Sequence, residues 1–271
     1  MSRWVVIGAG YTGARLVAAL TARGDVVVAT RRTAAPGARV VELAQPATLA
    51  GLLVAGDVVV VLAPPIDAAG TGEQALAAAA AAAGVARLVY VSSTGVYGAA
   101  DGAWVDETFP LAPLTASGRA RVAAEAAIAS GPTSTVVLRP AGIYGPDRGV
   151  LARLRAGSYR IVGDGTTMVS RVHVDDLVDA IIRAGDAPGP GPVYNVADDE
   201  PCTSATLGDE AARALVLPLP PRVPLTAVDA EVAGMLTADR RVANGRLKRD
   251  LGWAPRYPSW RTALAAELRW C

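Results

Sequence analysis

The sequence predicts an α/β fold built on a doubly wound parallel sheet, with a small C-terminal lobe. Three observations support this prediction. Apolar runs of strand length alternate with helix-like stretches through the first half of the chain. These runs are continuous in valine, isoleucine and leucine, as strands covered on both faces require. A glycine-rich turn joins the first run to the first helix-like stretch.

The elements follow one another in a βα order from the N-terminus. The predicted strands are the apolar runs at residues 4–7, 26–29, 58–62, 88–91 and 135–138. The predicted helices lie between them, at residues 12–22, 47–53, 73–83 and 118–129. The third helix contains an alanine run, which indicates close packing against a neighbour rather than a low-complexity segment.

The alternation weakens beyond about residue 145, where stretches such as GDAPGPGP and VLPLPPRVPL are rich in proline and glycine. We therefore predict a first domain over residues 1–145, with its sheet completed by about residues 171–197. A smaller lobe is predicted over residues 146–170 and 198–271. Within the returning segment, Asp175 or Asp176 is expected to cap the start of a helix.

Composition excludes several classes of protein. The chain has 271 residues, 52% of them hydrophobic, and a formal net charge of +1, so neither nucleic acid nor an anionic membrane is expected as a partner. Cys202 and Cys271 are far apart and form neither a disulfide framework nor a zinc pattern. This cysteine usage favours a reducing, cytoplasmic location. No leader is recognisable, and the most apolar later run, residues 58–63, is too short to span a bilayer, so neither secretion nor a membrane span is expected.

The turn after the first strand has the spacing of a dinucleotide-binding loop. Gly8, Gly10 and Gly13 form G-x-G-x-x-G between an apolar strand and a helix. The first glycine permits the turn, the second lets pyrophosphate approach the backbone, and the third allows close helix packing. The helix N-terminus adds free N–H groups. The first domain is thus expected to bind a dinucleotide in the Rossmann manner, and the second lobe to bind a small-molecule substrate.

The end of the second strand indicates which dinucleotide is bound. An NAD site usually has an acidic residue there, but this chain has Thr30, Arg31 and Arg32. Guanidinium groups cannot accept hydrogen bonds from ribose hydroxyls, whereas they pair well with phosphate. We therefore predict NADP(H) rather than NAD(H). The alternative is that both arginines are ordinary solvated loop residues.

Longer motifs carry a family resemblance. SSTGVYG, DETFP, LRPAGIYGP and RVHVDDLVDAI follow the glycine loop in order. With GAGYTG, they make the chain similar to the extended and atypical short-chain dehydrogenase/reductases, the NAD(P)-dependent epimerase/dehydratase family. The resemblance covers most of the chain to about residue 200 and implies an oxidoreductase or epimerase activity.

The resemblance also implies roles for individual residues. Ser93 corresponds to the family's catalytic serine or threonine, which polarises the substrate carbonyl. Tyr97 and Tyr144 correspond to positions that line or support the substrate pocket, and both are reserve candidates for the proton donor. The remaining expected cofactor contacts are Tyr11, Thr12, Leu43, Leu62, Ala63, Pro64, Ser92, Pro140 and Ile143.

The family's Tyr-x-x-x-Lys pair is missing. Ser117 and Arg121 occupy the matching frame, and the only lysine of the chain is Lys248. A serine hydroxyl is a poor acid, and arginine does not deprotonate, although it can hold ribose hydroxyls and supply a fixed positive field. The alternative is an ordinary helix start with an Arg121–Glu125 ion pair. His173, the one histidine, is expected to be structural, and no metal site is expected.

Two hypotheses follow for the function. The first is an NADPH-dependent oxidoreductase, or a related epimerase or dehydratase, that acts on a small carbonyl or imine with Ser93, Tyr97, Ser117 and Arg121 as its catalytic set. The second is a non-catalytic NADP(H)-binding redox sensor or scaffold. The short C-terminal lobe favours a small substrate, and the alanine-rich helix at residues 118–129 is compatible with a homodimer.

Overall fold

The computed structural model describes residues 1–189 and 191–268. It has an α/β architecture with a seven-stranded parallel sheet flanked by helices. The strands are β1 (Arg3–Ile7), β2 (Val26–Arg31), β3 (Ala38–Val40), β4 (Val58–Val61), β5 (Arg87–Val91), β6 (Trp104–Val105), β7 (Thr135–Pro140), β8 (Gly142–Tyr144), β9 (Ile161–Val162), β10 (Met168–Val169), β11 (Arg171–His173), β12 (Val193–Val196), β13 (Cys202–Thr203), β14 (Arg222–Val223) and β15 (Arg241–Val242).

The α-helices lie between these strands, and short 3₁₀ turns lie at Pro46–Leu49, Thr94–Val96 and Leu225–Ala227. The helices are α1 (Tyr11–Ala22), α2 (Thr71–Ala83), α3 (Ala116–Ala129), α4 (Val150–Arg155), α5 (Val174–Asp186), α6 (Ser204–Ala214), α7 (Ala230–Leu236), α8 (Gly245–Leu251) and α9 (Trp260–Leu268).

The strand order of the sheet is β12-β7-β5-β4-β1-β2-β3, so β1 lies inside the sheet between β2 and β4. Val5 pairs with Val28 on one side and with Val59 on the other. Every residue of β4 is buried, as expected for a strand covered on both faces. The strand order reverses at β1 and β4, and ligands of open α/β sheets bind at the carboxyl ends of strands at such a point.

The alanine run lies in α2 and packs closely, as predicted. Leu76, Ala77 and Ala80 are buried in the core beside β5 and α3. A Cβ placed on Gly70, which precedes α2, would lie 3.0 Å from the backbone oxygen of Ala123 in α3. Small side chains therefore allow α2 and α3 to approach each other closely.

The chain forms two compact units. The first contains residues 1–93, 116–139 and 177–194, and the second contains residues 94–115, 140–176 and 195–271. The second unit has short two-stranded pairs: β8 with β11, β6 with β15, β9 with β14, and β10 with β13. Trp260 is buried in its core, and Trp253 is also buried. On its surface, the Lys248 Nζ lies 2.5 Å from an Asp199 carboxylate oxygen.

The predicted elements of the first domain are confirmed, with two corrections. The predicted helix at residues 47–53 is only the 3₁₀ turn Pro46–Leu49, because Gly51 takes a positive φ of 62° and ends the segment. Of the segments predicted to complete the sheet, Val193–Val196 joins it, whereas Arg171–His173 pairs with β8 in a separate ribbon. The predicted domain bounds at residues 145, 171 and 197 remain a prediction.

Candidate functional site

The glycine loop of the first unit has the shape that a dinucleotide requires. A Cβ on Gly8 would lie 2.8 Å from the Ala63 nitrogen, and a Cβ on Gly13 would lie 2.4 Å from the Gly8 oxygen. At Gly10, in contrast, an added Cβ would meet no atom within 4 Å. Gly8 and Gly13 are thus needed for packing, while Gly10 leaves open space at the N-terminus of α1. The loop therefore fits a pyrophosphate at its open side.

The end of β2 lies directly beside this loop. The Ala9 N–H donates to the Thr30 carbonyl at 2.7 Å, and the Gly8 N–H lies 3.4 Å from the Thr30 hydroxyl. The Arg31 Nε donates to the Ala9 carbonyl at 2.8 Å, which holds this exposed guanidinium against the loop. Arg32 follows and is also exposed. The structure therefore holds Arg31, the first of the predicted basic pair, against the phosphate loop.

The predicted adenosine-side residues occupy the same edge of the sheet. The N–H groups of Leu62 and Ala63 both donate to the Ile7 carbonyl, so this loop lies against the glycine loop, with exposed Pro64 next in the chain. Leu43 is buried in the core, where the first turn of α2 packs against it.

The start of α1 supplies two further predicted contacts. Tyr11 is the first residue of the helix, and the Arg15 guanidinium carbon lies 4.0 Å from the centre of its ring. Thr12 is buried behind it. The first turn of α1 contains no acidic residue, which keeps this helix end favourable for an anion.

The residues that replace the family's catalytic pair both lie on α3, and Arg121 contacts the end of β5. Ser92 is buried with its N–H donating to the Leu138 carbonyl, and Ser93 is half-buried at the end of the unit. Ser117 is exposed in the first turn of α3. The Arg121 Nη1 donates to the Val91 carbonyl at 3.1 Å. A permanent cation therefore lies at the carboxyl edge of the sheet.

The expected alternative for α3, an Arg121–Glu125 ion pair, is not the arrangement observed. Glu125 is buried and forms a two-bond ion pair with Arg139 of β7, with the shorter distance 2.6 Å. Arg139 is itself buried, so it competes effectively for the carboxylate in a low dielectric. Arg121 instead donates a hydrogen bond to the Val91 carbonyl.

Sequence reasoning missed two buried polar residues, Glu73 and Tyr90, on whose pKa values the charge of Arg121 acts. Glu73, in the first turn of α2, is fully buried, and neither carboxylate oxygen has a hydrogen-bond partner among the described residues. Tyr90 of β5 is also fully buried, and burial raises the pKa of its phenol. Burial likewise raises the pKa of Glu73, while Arg121 opposes this shift. The available signal was that Glu73 is the one charged residue of an alanine-rich helix.

In the second unit, Tyr97 is part of a buried hydrogen-bonded cluster. Its hydroxyl donates to the Asn195 Oδ1 at 2.8 Å, and the Asn195 N–H donates to Glu107 at 2.8 Å. The Arg240 Nη1 donates to the backbone carbonyl of Tyr97 at 3.2 Å. These contacts hold Tyr97 from both ends and direct its hydroxyl proton to an amide oxygen.

The remaining predicted residues of the second unit lie on and beside β8. Pro140 is buried just before this strand, which contains Ile143 and Tyr144. The ring of Tyr144 packs edge-on against His173, with the centroids 5.3 Å apart. Tyr144 also lines a small apolar cavity whose walls are completed by Val150, Leu151, Arg171, Leu207 and Trp260.

His173 has a structural setting, but the predicted cap is wrong. Helix α5 begins at Val174, so Asp175 and Asp176 lie in its first turn rather than before it. His173 itself accepts the Asp175 N–H through Nδ1 at 3.2 Å. The Asp176 carboxylate accepts the backbone N–H groups of Arg256 and Tyr257 instead. A capping residue must precede the first helical residue, and that position belongs to the histidine.

Within the described residues, no group of histidine, cysteine and acidic side chains is arranged to hold a metal ion. Burial raises the pKa of the Cys202 thiol to about 11, so it is protonated at neutral pH. Cys271 lies outside the described residues. Among the described helices, none combines the length and apolarity needed to cross a membrane.

Comparison with known proteins identifies the relatives of this chain. Residues 4–197 match the model of the NAD dependent epimerase/dehydratase family. A 3-diazoavenalumate denitrifying reductase from a Streptomyces species is 36% identical, over 98% of this chain and 100% of that protein.

Solved structures share the fold. A functionally unknown conserved protein from Silicibacter pomeroyi has a TM-score of 0.84 and 34% identity, with 99% of each chain covered. Human epimerase family protein SDR39U1, solved with NADPH, has a TM-score of 0.81 and 22% identity, with 98% of each chain covered. At that identity the human protein supports the fold alone.

Proposed function

Since the chain belongs to the NAD dependent epimerase/dehydratase family, as the predicted resemblance implied, we propose that it is an NADPH-dependent reductase whose acceptor needs hydride but no strong protein acid. Membership makes the chain an enzyme of the NAD(P)-dependent oxidoreductase and epimerase class. The preference for NADPH, the acceptor and the residue roles are the proposal.

The residues of the first unit fit the cofactor. Gly10 leaves the open side of the loop for the pyrophosphate. Arg31 and Arg32 are proposed to bind the 2′-phosphate, and the hydrogen bond of Arg31 to the Ala9 carbonyl supports this role. When bound, NADPH supplies a hydride from its nicotinamide ring. The polypeptide then has to orient the acceptor, polarise it and exclude water.

The observation that carries the proposal is the bonding of the residues that replace the family's tyrosine–lysine pair. Arg121, in the lysine frame, donates to the Val91 carbonyl and remains a cation. Ser117, in the tyrosine frame, has an alcohol of low acidity, and the Tyr97 hydroxyl donates to Asn195. Ser93 is therefore proposed to polarise the acceptor, with no efficient acid beside it.

An iminium or diazonium group suits such a site because it is already cationic. An iminium carbon gains hydride to give an amine, and no proton is consumed. A diazonium carbon gains hydride while its C–N bond breaks and the electron pair of that bond leaves with dinitrogen (R–N₂⁺ + H⁻ gives R–H + N₂). The name of the Streptomyces relative, a denitrifying reductase of a diazo compound, supports this class of acceptor.

The cofactor preference is tested by removing both guanidinium groups. In an Arg31→Ala/Arg32→Ala variant, we expect NADPH binding to weaken by at least about 100-fold, because each of the two lost charge-assisted contacts costs ~1.5–3 kcal/mol. NADH binding should change by less than about threefold. Fluorescence titration with both cofactors measures the ratio, and Arg39→Ala, a change at an exposed arginine of β3, is the control. An unchanged NADPH/NADH ratio would contradict the assignment.

The acceptor class is tested with C4-deuterated NADPH and three acceptors of matched size: an N-methyl iminium salt, an arenediazonium salt and a ketone. We expect deuterium to enter the cationic acceptors at least ~10-fold faster than the ketone, since an absent acid costs ~10²–10⁴ in rate. Product mass spectrometry, corrected for the reaction without enzyme, measures the transfer. Ser93→Ala should slow deuterium transfer to the ketone more than transfer to the iminium salt. Ser130→Ala is the matched serine control.

Two outcomes would overturn the proposal. Equal rates for ketone and iminium would mean that an efficient acid is present. Tight NADPH binding without transfer to any acceptor would favour the redox sensor. A cytoplasmic location and a homodimer packed through α3 also remain proposals that rest on the sequence.

A further inference from the structure

Arg240, the residue before β15, is a cation held in the second unit by backbone groups. Its Nη1 donates to the carbonyls of Tyr97 and Gly98, at 3.2 and 3.1 Å. The side chain is half-buried, and burial lowers the pKa of the guanidinium to about 10. A charged group withdrawn from water usually has an ion-pair partner, because its desolvation is costly.

The acids beside Arg240 have other partners. Asp239, the preceding residue, accepts the Met168 N–H at 2.7 Å, and Glu107 accepts the Asn195 N–H at 2.8 Å. Among the described residues, no carboxylate forms an ion pair with Arg240. Its positive charge is therefore not balanced by any contact in that part of the chain.

The hydrogen bonds of Arg240 leave one edge of its guanidinium group unused. Both bonds are made by Nη1, and neither Nε nor Nη2 has an acceptor within the described chain. These two nitrogens form an edge that can bind both oxygens of a carboxylate side by side. One guanidinium also matches the single charge of a carboxylate, whereas a phosphate monoester carries about two charges.

The position of Arg240 connects it with the expected substrate pocket. One of its two acceptors is the carbonyl of Tyr97, a residue that the family resemblance assigns to positions lining or supporting that pocket. The backbone of Leu111 pairs with Tyr97 in an isolated bridge, and both Leu111 and nearby Leu114 are exposed. The surroundings of the cation therefore suit an acid with an apolar carbon skeleton.

We propose that Arg240 binds a carboxylate group of the substrate, so that the acceptor of this enzyme is an apolar organic acid. This inference rests on the proposed function and adds the substrate class to it. Arg240 is a specificity residue and takes no part in hydride transfer. Its bonds to two carbonyls fix the guanidinium before the substrate arrives, which lowers the entropic cost of binding.

The test compares two diazonium acceptors, 4-carboxybenzenediazonium and its methyl ester, with C4-deuterated NADPH. The measured quantity is kcat/KM for deuterium transfer, corrected for the reaction without enzyme. In Arg240→Gln we expect kcat/KM for the carboxylate to fall by about 10- to 100-fold, because a charge-assisted contact is lost, while the ester changes by less than about threefold. Arg241→Gln removes the next guanidinium, which donates to the Gly102 carbonyl, and should retain the wild-type values.

Binding is measured separately from turnover, by ligand-observed NMR titration of benzoate and benzamide in the presence of NADPH. We expect the wild type to bind benzoate at least ~10-fold more tightly than benzamide, and this comparison remains valid if Arg240→Gln does not fold. Equal binding of the two ligands by the wild type would overturn the inference. Equal losses of kcat/KM for carboxylate and ester in a folded Arg240→Gln would do the same, since they indicate a structural role. Benzoate binding that depends on Arg240, without deuterium transfer to any acceptor, would instead overturn the proposed function.

Discussion

At the residue scale, burial controls the ionisation of single acids in both units. Asp198 of the second unit is 2% exposed, and neither of its carboxylate oxygens has a hydrogen-bond partner in the described chain. Burial raises its pKa to about 8, although the charge of Arg171 acts in the opposite direction. Asp199, the next residue, is accessible and pairs with Lys248. Adjacent aspartates therefore lie in different environments: Asp198 is buried without a hydrogen-bond partner among the described residues, and Asp199 is in an ion pair.

The raised pKa of Asp198 makes stability depend on pH. An unfolded aspartate loses its proton near pH 4, whereas the folded Asp198 keeps it to about pH 8. Between these values the folded state binds the extra proton, so its stability should fall as pH rises, by at most ~1.4 kcal/mol per unit.

Melting temperatures from pH 5 to 8 measure this effect. We expect the melting temperature to fall less with rising pH in Asp198→Asn, because the amide of asparagine resembles the protonated acid. Asp250→Asn, at an exposed position of α8, should retain the wild-type slope. Equal slopes for Asp198→Asn and the wild type would show that Asp198 is already ionised in the folded protein.

At the element scale, the glycine loop separates packing from ligand access. Gly13 has the Gly8 oxygen where its Cβ would lie, whereas a Cβ on Gly10 would face open space. One loop therefore offers two alanine substitutions with different expected consequences.

Gly13→Ala should lower the stability of the apoprotein by ~1–3 kcal/mol, because the new methyl group overlaps backbone atoms. Gly10→Ala should leave the apoprotein melting temperature within about 1 °C of the wild type, yet weaken NADPH binding by at least ~10-fold, since the methyl group occupies the side open to pyrophosphate. Thermal unfolding and cofactor titration of both variants test this. If Gly10→Ala bound NADPH as tightly as the wild type, the glycine loop would not be part of the cofactor site.

The elements differ in how far the sequence predicts them. The strands of the parallel sheet are continuous aliphatic runs, and the glycine loop has a fixed local spacing, so both are readable along the chain. Strands such as Trp104–Val105 have two residues, too few to show any period. The pairing of Glu125 with Arg139, and the burial of Glu73, depend on tertiary packing that no local pattern records.

At the scale of the whole molecule, the chain combines a conventional sheet with an unconventional set of polar residues. The sheet order and the glycine loop match the family, while the tyrosine–lysine frame holds Ser117 and Arg121. The fold was therefore predictable as a class, whereas the location of the cofactor site stays a prediction. The chemistry of the polar residues could not be predicted from the sequence, because the ionisation of Glu73 and the hydrogen bonding of Arg121 arise only when α2, α3 and β5 pack together.

The ion pair between Lys248 and Asp199 has a practical consequence. Lys248 is the only lysine in the chain, and its side chain is 35% exposed on α8. An amine-directed dye thus has one side-chain target, in addition to the N-terminal amine. Substitution of Asp199 releases that amine from its ion-pair partner. The protein is consequently suited to site-selective labelling without the introduction of a cysteine.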